Sequence, residues 1–521
     1  MATLIRSGNR TLDGAQLADR ASRAANGLEA MGIQPGDTIA LFLRNDLAFY
    51  EATGAASRVG AYVAPLNWHA TEQEAAYLFS NCDAKLIVIH ADLLPGVAAA
   101  IPPGVAVMVV ETAPDIAAAF GASPDQCRVP DDRISWTKWL DALPPSAPRA
   151  AIALSAIIYT GGTTGNPKGV RRKPPTPEQT MAGYRALGTA FGFGEAVKAL
   201  LSGAEPPQMV TVMVGPMYHS APNAYGNAIA ALGAEVILQA RFDPEELLAL
   251  IERHQVTHLH LVPTMMVRLL KLPDDVRSKY DLSSLKHVVH AAAPCPPHVK
   301  RGMIEWWGPV INEYYGSTET GAVVHCNSED WLAHPGTVGK AMANAIVRVL
   351  REDGSDAAVG EAGDVYCRMS DGVDFTYHGD DEKRRKAEAQ GLIGVGDIGF
   401  MDEDGFLFLC DRRNHMVISG GVNIYPAEIE NELLRVPGVA DCAVFGIPDE
   451  EFGESLCAWV QPNPGETLDA GNIRIALAEK LARYKIPKVI EFSPELPRED
   501  SGKIFKRKLR EPYWVAAGRS I

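Results

Sequence analysis

Residues 159–169, Tyr-Thr-Gly-Gly-Thr-Thr-Gly-Asn-Pro-Lys-Gly, combine the groups needed to hold a nucleotide's phosphates. The glycines at 161, 162, 165 and 169 let the backbone turn tightly and aim successive N–H groups at an anion. Hydroxyls of Thr160, Thr163 and Thr164 add donors, and Lys168 adds a mobile positive charge. The spacing is not that of a Walker A loop, because Asn166-Pro167 separates Gly165 from Lys168. In Tyr314-Tyr315-Gly316-Ser317-Thr318-Glu319 a carboxylate sits beside hydroxyls and a tight glycine, a donor set suited to Mg²⁺ against phosphate oxygens, and the aromatic offers a face for a flat base. Asp397, after Gly396, has the acceptors for two ribose hydroxyls, with Arg412 as a donor from Cys410-Asp411-Arg412; an aspartate in a turn is also an ordinary turn former. Ser419-Gly420-Gly421-Val422-Asn423-Ile424-Tyr425-Pro426 permits close backbone approach and then starts a helix at Pro426. In Pro497-Arg498-Glu499-Asp500-Ser501-Gly502-Lys503, Gly502 lets Lys503 project from a tip.

These groups need a scaffold, and the hydrophobic pattern supplies one. Ala156 to Tyr159 reads as a buried strand feeding the first loop. Leu17, Ala21, Ala24, Leu28 and Met31 make a helical stripe that stops at Gly32. Short apolar or β-branched runs at 39–43, 85–89, 210–214, 256–262 and 285–289 alternate with helical segments, the pattern of an α/β architecture. Glu403-Asp404-Gly405 reads as a hairpin turn between 398–401 and 406–410. Past a charged connector at 411–414, the chain predicts a helix at 426–436, strands at 440–445 and 456–461, a helix at 472–481 and a strand at 489–492. That is enough for a small α+β domain.

A chain of 521 residues exceeds one core, so two or more domains are expected. Its 49 basic against 64 acidic residues give a formal charge of −15, which argues against nucleic acid or an anionic membrane as the main partner. The run Arg171-Arg172-Lys173 is basic locally and reads equally as a contact to a ligand's phosphates or a solvated face. Eight cysteines without paired spacing predict neither a zinc site nor a disulfide framework and suit a reducing cytoplasm. Neither a signal segment nor an 18-residue apolar stretch is present, so a soluble, cytoplasmic protein without a transmembrane segment is expected.

In this order, the five motifs resemble those of the adenylate-forming superfamily, which includes acyl-CoA synthetases, stand-alone adenylation domains and beetle luciferases. The chain looks like its fatty-acid, bile-acid or aromatic-acid CoA ligases, over about residues 15–510. The resemblance implies a large N-terminal domain (1–410) of α/β subdomains with a small β-barrel-like part, a hinge (411–414), and a small mobile α+β domain (415–521). It implies that Thr160, Gly161, Gly162, Thr163, Thr164, Gly165 and Lys168 cradle the triphosphate of ATP, and that Thr160 and Glu319 serve Mg²⁺. Tyr315 and Gly316, with Ala292 and Ala293, would meet adenine; Thr318 the α-phosphate; Asp397 and Arg412 the ribose. Lys503 would bridge carboxylate and α-phosphate, His219 would gate the acid pocket, and Gly420, Gly421 and Tyr425 would face the pantetheine arm of coenzyme A. Three positions depart from the family pattern: Gly161 for Ser or Thr, His290-Ala291 for Ser-Gly, and Asn414 for the usual hinge Asp or Lys. The implied reaction joins an acid to AMP and then to CoA, with loading of a carrier protein as the alternative. Residues 220–227, rich in small side chains and without an acid, argue for a hydrophobic carboxylic acid (medium or long chain, steroid or aromatic) and against an amino acid. A homodimer is left open.

Overall fold

The apolar runs assemble into two sheets whose central strands are parallel and largely buried, as strands covered on both faces by helices must be. A computed structural model describes residues 3–144, 152, 154–160, 167–413, 415–420, 422–498 and 504–517. In the first sheet, Thr38–Phe42 lies between Tyr62–Pro65 and Ala84–His90, followed outward by Ala106–Val110 and Ile134–Ser135. The helix Gly14–Ala30 starts where Asp13 and Gln16 satisfy each other's backbone N–H groups in a capping box, and it buries Ala21, Ala24, Ala25 and Leu28.

The second sheet has nine strands. Its working part consists of β1 (Val210–Met213), β2 (His258–Leu261), β3 (His287–His290) and β4 (Ile311–Ser317), all parallel, with β5 (Gly321–Cys326) antiparallel to β4. Three helices matter below: α1 (Pro177–Phe191), α2 (Ser220–Ala231) and α3 (Pro297–Trp307). Phe191 and Tyr225, from α1 and α2, join the core on one face of this sheet; Val299 and Met303 of α3 join the core on the other.

Two antiparallel pieces complete the large part. Ile158–Thr160, Lys168–Arg172 and Phe375–Tyr377 make three strands. A five-stranded sheet contains β6 (Leu392–Met401) and β7 (Leu407–Arg412), joined by a turn in which Asp402 accepts from the backbone N–H groups of Asp404 and Phe406. β7 runs through Asp411 and Arg412, which lie opposite Ile398 and Asp397, so these two residues of the 411–414 segment are strand residues and the next strand begins at Val417. Beyond it, Val439–Asp449 and Gly453–Pro462 form a long hairpin in a five-stranded sheet, covered by α4 (Pro426–Leu433) and Ala470–Ala478, with α5 (Lys506–Ala516) last. This part has its own core, including Ile429, Leu433, Leu456 and Leu477. Among the described residues, no helix is long and apolar enough to cross a membrane.

Candidate active site

The carboxyl edge of β4 gathers Tyr315, Gly316, Thr318, Glu319, Asp397 and Arg412 of the residues expected from the sequence, in keeping with the rule that ligands of open α/β sheets lie beyond the carboxyl ends of the strands. The ladder shifts register between Tyr315 and Gly316. A Cβ on Gly316 would lie 1.9 Å from the Gly321 carbonyl oxygen, so no other residue fits this crossing. The bulge aims the Tyr315 hydroxyl at Asp397 Oδ2, to which it donates at 2.8 Å. Arg412 Nε donates to Asp397 Oδ1 at 3.2 Å from directly across the β6–β7 ladder. Burial and the Asp397 charge raise the Tyr315 pKa well above the ordinary phenol value, so this hydroxyl remains a donor.

The turn after β4 is held from both sides. Ser317 Oγ accepts from the N–H groups of Glu319 and Thr320, each at 3.1 Å. Arg172 Nη2 donates to the carbonyls of Thr318 (2.6 Å) and Glu319 (2.8 Å), and Glu319 Oε1 accepts from the Tyr377 hydroxyl at 2.8 Å. Arg172 therefore points into the site, while neighbouring Arg171 lies over the Tyr62 ring. The basic run at 171–173 thus splits between two surroundings. Tyr377 was not anticipated; it is far from the motifs in sequence and reaches Glu319 because its strand pairs with Lys168–Arg172.

Thr160 and Lys168 face each other across the pair of strands leading into and out of the Gly/Thr loop, and Lys168 Nζ is 3.1 Å from Asp380 Oδ2. Both flanks are pinned: Tyr159 donates to Asn81, and Tyr77 donates to the Pro167 carbonyl. Gly161, Gly162, Thr163, Thr164 and Gly165 lie outside the described residues, as do Asn414, Gly421 and Lys503. The wall beside β3 contains Ala292 at φ +76°, a left-handed conformation that costs a non-glycine residue about 1–3 kcal/mol and clusters at functional sites. The next residue in the wall is Ala293.

His219 precedes α2, and its buried Nε2 has no hydrogen-bond partner among the described residues. Burial first, and His69 second, pull its pKa to about 4, so the ring is neutral. Behind it, Asn45 ties the two sheets together, donating to the Gly215 carbonyl and accepting from Met217 N–H, both at 2.9 Å. The small-residue segment 220–227 does not line open space throughout. Tyr225 is fully buried and bonds Thr211, and Gly226 backs onto Met213, Met217 and Tyr50.

His290, at the departure from the family pattern, is buried on the α3 face of the sheet beside the ion pair Lys300–Glu313 (2.6 Å). Both its ring nitrogens lack hydrogen-bond partners among the described residues, and burial holds it neutral. An unmade buried hydrogen bond costs about 1–3 kcal/mol, so such groups call for an explanation.

On the small part, Gly420 adopts φ +58° and donates to the Phe452 carbonyl at 2.9 Å; Tyr425 precedes α4. Asp411, next to Arg412, accepts from the Ala427 N–H of α4 at 2.9 Å and is held ionised by His415 and Lys506. Lys506 also pairs with Glu430 at 2.7 Å.

The model of the AMP-binding enzyme family matches residues 2–373, and that of the AMP-binding enzyme C-terminal domain matches residues 428–503. A feruloyl-CoA synthase of an Amycolatopsis species is 31% identical over 514 residues, covering 98% of this chain and 96% of the relative. A Rhodococcus jostii enzyme named as a methyl-dioxo-octahydroindenyl-propanoyl:CoA ligase is 30% identical over 530 residues, covering 98% and 95%. Among solved structures, ATP-bound MatB from Rhodopseudomonas palustris superposes with a TM-score of 0.82 at 29% identity, covering 98% of this chain and 96% of that one. With both family models matched in order and the mixed α/β architecture shared, the chain belongs to the AMP-binding, adenylate-forming enzyme family.

Proposed function

We propose that this protein is an ATP-dependent acid–thiol ligase that converts a hydrophobic carboxylic acid to its acyl-adenylate and then to its CoA thioester. The observation that carries the reading is the convergence of Tyr315, Asp397 and Arg412 beside the turn that Arg172 holds. Relatives named as CoA ligases for a phenylpropenoic, an indoleacetic, a bicyclic dioxo and a long-chain fatty acid support the class and leave the acid open.

A carboxylate is a poor acyl donor because its leaving group would be oxide. When its oxygen attacks the α-phosphorus of ATP, pyrophosphate departs and the acyl carbon acquires AMP as a leaving group. Two anions must meet, so the site has to supply positive charge and fixed donors. Lys503 and Lys168 are the cations for this role, and Asp397 with Arg412 fixes the ribose so that acid and nucleotide meet in line. Bound Mg²⁺ would neutralise phosphate charge, and the hard oxygen donors of Thr160 and Glu319 fit it. In the second step the thiol sulfur attacks the acyl carbonyl, its proton leaves to solvent, and AMP departs. The C-terminal domain would then pivot after Arg412, withdrawing Lys503 and presenting Gly420 to Tyr425 to the pantetheine arm.

A relative 28% identical is named as a fatty acid–acyl-carrier-protein ligase, which keeps a carrier-protein thiol as the second acceptor reading. Pyrophosphate release against a panel of fatty, aromatic and steroid acids, with hydroxamate trapping and with or without CoA, tests the proposal. Acid-dependent release followed by CoA-dependent thioester is expected. Absence of any trapped acyl group across the panel refutes it.

A further inference from the structure

Lys168, the cation expected to meet the triphosphate, is already paired: its Nζ lies 3.1 Å from Asp380 Oδ2. The backbone brings that carboxylate to it. The strand Phe375–Tyr377 pairs antiparallel with Lys168–Arg172, and His378 N–H donates to the Gly169 carbonyl at 2.8 Å, which carries the chain past the start of the lysine's strand. Asp380 N–H then donates to the Tyr377 carbonyl at 2.9 Å in a tight turn. The short helix Asp381–Lys386 follows, and Asp380 caps it, its Oδ1 accepting from Lys383 N–H at 3.1 Å. One carboxylate oxygen is therefore fixed by the helix and the other is offered to Lys168.

Neighbouring cations are held elsewhere. Arg384 engages Asp374 at 2.9 Å and Glu388 at 2.8 Å, Lys386 engages Glu382 at 2.8 Å, and Lys383 Nζ lies over the Tyr377 ring at 4.9 Å. The Lys383 N–H first, and Lys168 second, hold the Asp380 carboxyl below its ordinary value, so it is an anion at neutral pH. Both side chains of the Lys168–Asp380 pair are less than a third exposed, and water reaches them, so the pair is weak enough to part. The same strand puts the Tyr377 hydroxyl on Glu319, so residues 375–380 touch the two side chains that face phosphate and its metal in the reading above. An ammonium that turns to the triphosphate has to leave Asp380. After the α-phosphorus is attacked, pyrophosphate keeps that ammonium unless another anion reclaims it.

We propose that Asp380 is a positioning residue that holds Lys168 as an exchangeable counter-ion, yielding it to the triphosphate of ATP and reclaiming it from pyrophosphate so that this product leaves. The inference rests on the acid-activating reading above.

Asp380→Asn tests it, because asparagine removes the charge yet caps a helix as well as aspartate does. Calorimetry with Mg²⁺ present should show pyrophosphate and ATP each binding at least threefold more tightly to the variant. Pyrophosphate should also inhibit acid-dependent hydroxamate formation at a correspondingly lower concentration. Damage to the cap or the strand would weaken binding, so the direction of the change separates the two roles. Asp380→Ser, another capping residue without charge, should behave alike and decides the matter if the asparagine variant fails to fold. Lys168→Met should weaken pyrophosphate binding, and adding Asp380→Asn to it should give no gain. A threefold gain in that background means that the carboxylate repels pyrophosphate without engaging the lysine, and overturns the inference. Unchanged or weaker pyrophosphate binding in the single Asp380 variants overturns it too, and in both cases acid activation stands. A native protein that binds neither ATP nor pyrophosphate would overturn the underlying reading as well.

Discussion

Replacing Asp397 with asparagine isolates the contribution of one charge at an almost buried position (8% exposed). The carboxylate now accepts from the Tyr315 hydroxyl at 2.8 Å and from Arg412 Nε at 3.2 Å. If the same oxygens accept both ribose hydroxyls, the amide retains one acceptor and turns donors toward the other. Hydrogen bonds to a charged group contribute about 1.5–3 kcal/mol and neutral ones about 1. Losing one charged bond and weakening the other should therefore cost about 2–4 kcal/mol, a fall of roughly 30- to 1000-fold in kcat/KM for ATP. The pairing with Arg412 adds little to stability, since that side chain is 43% exposed, so the melting temperature should move by only a few degrees. The assay is acid-dependent ATP–pyrophosphate exchange at varied ATP. The control is 2′,3′-dideoxy-ATP, which should show a comparable loss with the native protein and little further loss with Asp397→Asn. Additive losses, or an unchanged KM for ATP, would refute the ribose assignment.

Arg172→Lys should lower kcat for pyrophosphate release by tenfold or more, because the shorter lysine side chain ends before the position from which Arg172 Nη2 holds both the Thr318 and Glu319 carbonyls; undiminished turnover would count against that role. Lys300→Met strands Glu313 in the core and should cost about 3–5 kcal/mol in urea unfolding, much of it recovered on adding Glu313→Leu. Acidification should destabilise the fold between pH 6.5 and 4. His219 and His260 titrate near 4 when folded and near 6.5 when free, so the unfolded chain binds more protons in that window and stability rises with pH, by about 1.4 kcal/mol per unit for each ring. A flat urea midpoint from pH 7 to 5 would contradict it. Lys503→Ala should abolish acid-dependent pyrophosphate release yet still turn preformed acyl-AMP into thioester with CoA; equal loss of both half-reactions excludes the lysine as an adenylation-only cation.

The strand runs and the helical stripe that stops at Gly32 were legible because local periodicity decides them. The pairing of Asp397 with Arg412 was legible only through the motif pattern, since fifteen residues of chain separate them and a bulged hairpin brings them together. The grip of Arg172 on the turn after β4 was not anticipated, for a physical reason. A basic run on a strand alternates faces, so Arg171 and Arg172 point to different surroundings, and charge counting cannot tell them apart. Tyr377 reaches Glu319 through a non-local strand pairing that no local signal announces. His258-Leu259-His260-Leu261 alternates polar and apolar residues, which placed two imidazoles on one face of β2. Which face helices would cover depended on the sheet order.

β7 ends on two neighbours that look in opposite directions. Arg412 is engaged with the Asp397 carboxylate, while Asp411 grips the first turn of α4 and sits within the field of Lys506. If the smaller part swings as proposed, Asp411 has to give up both of those partners. Only one peptide unit lies between the two grips, so strain in either passes straight into the other.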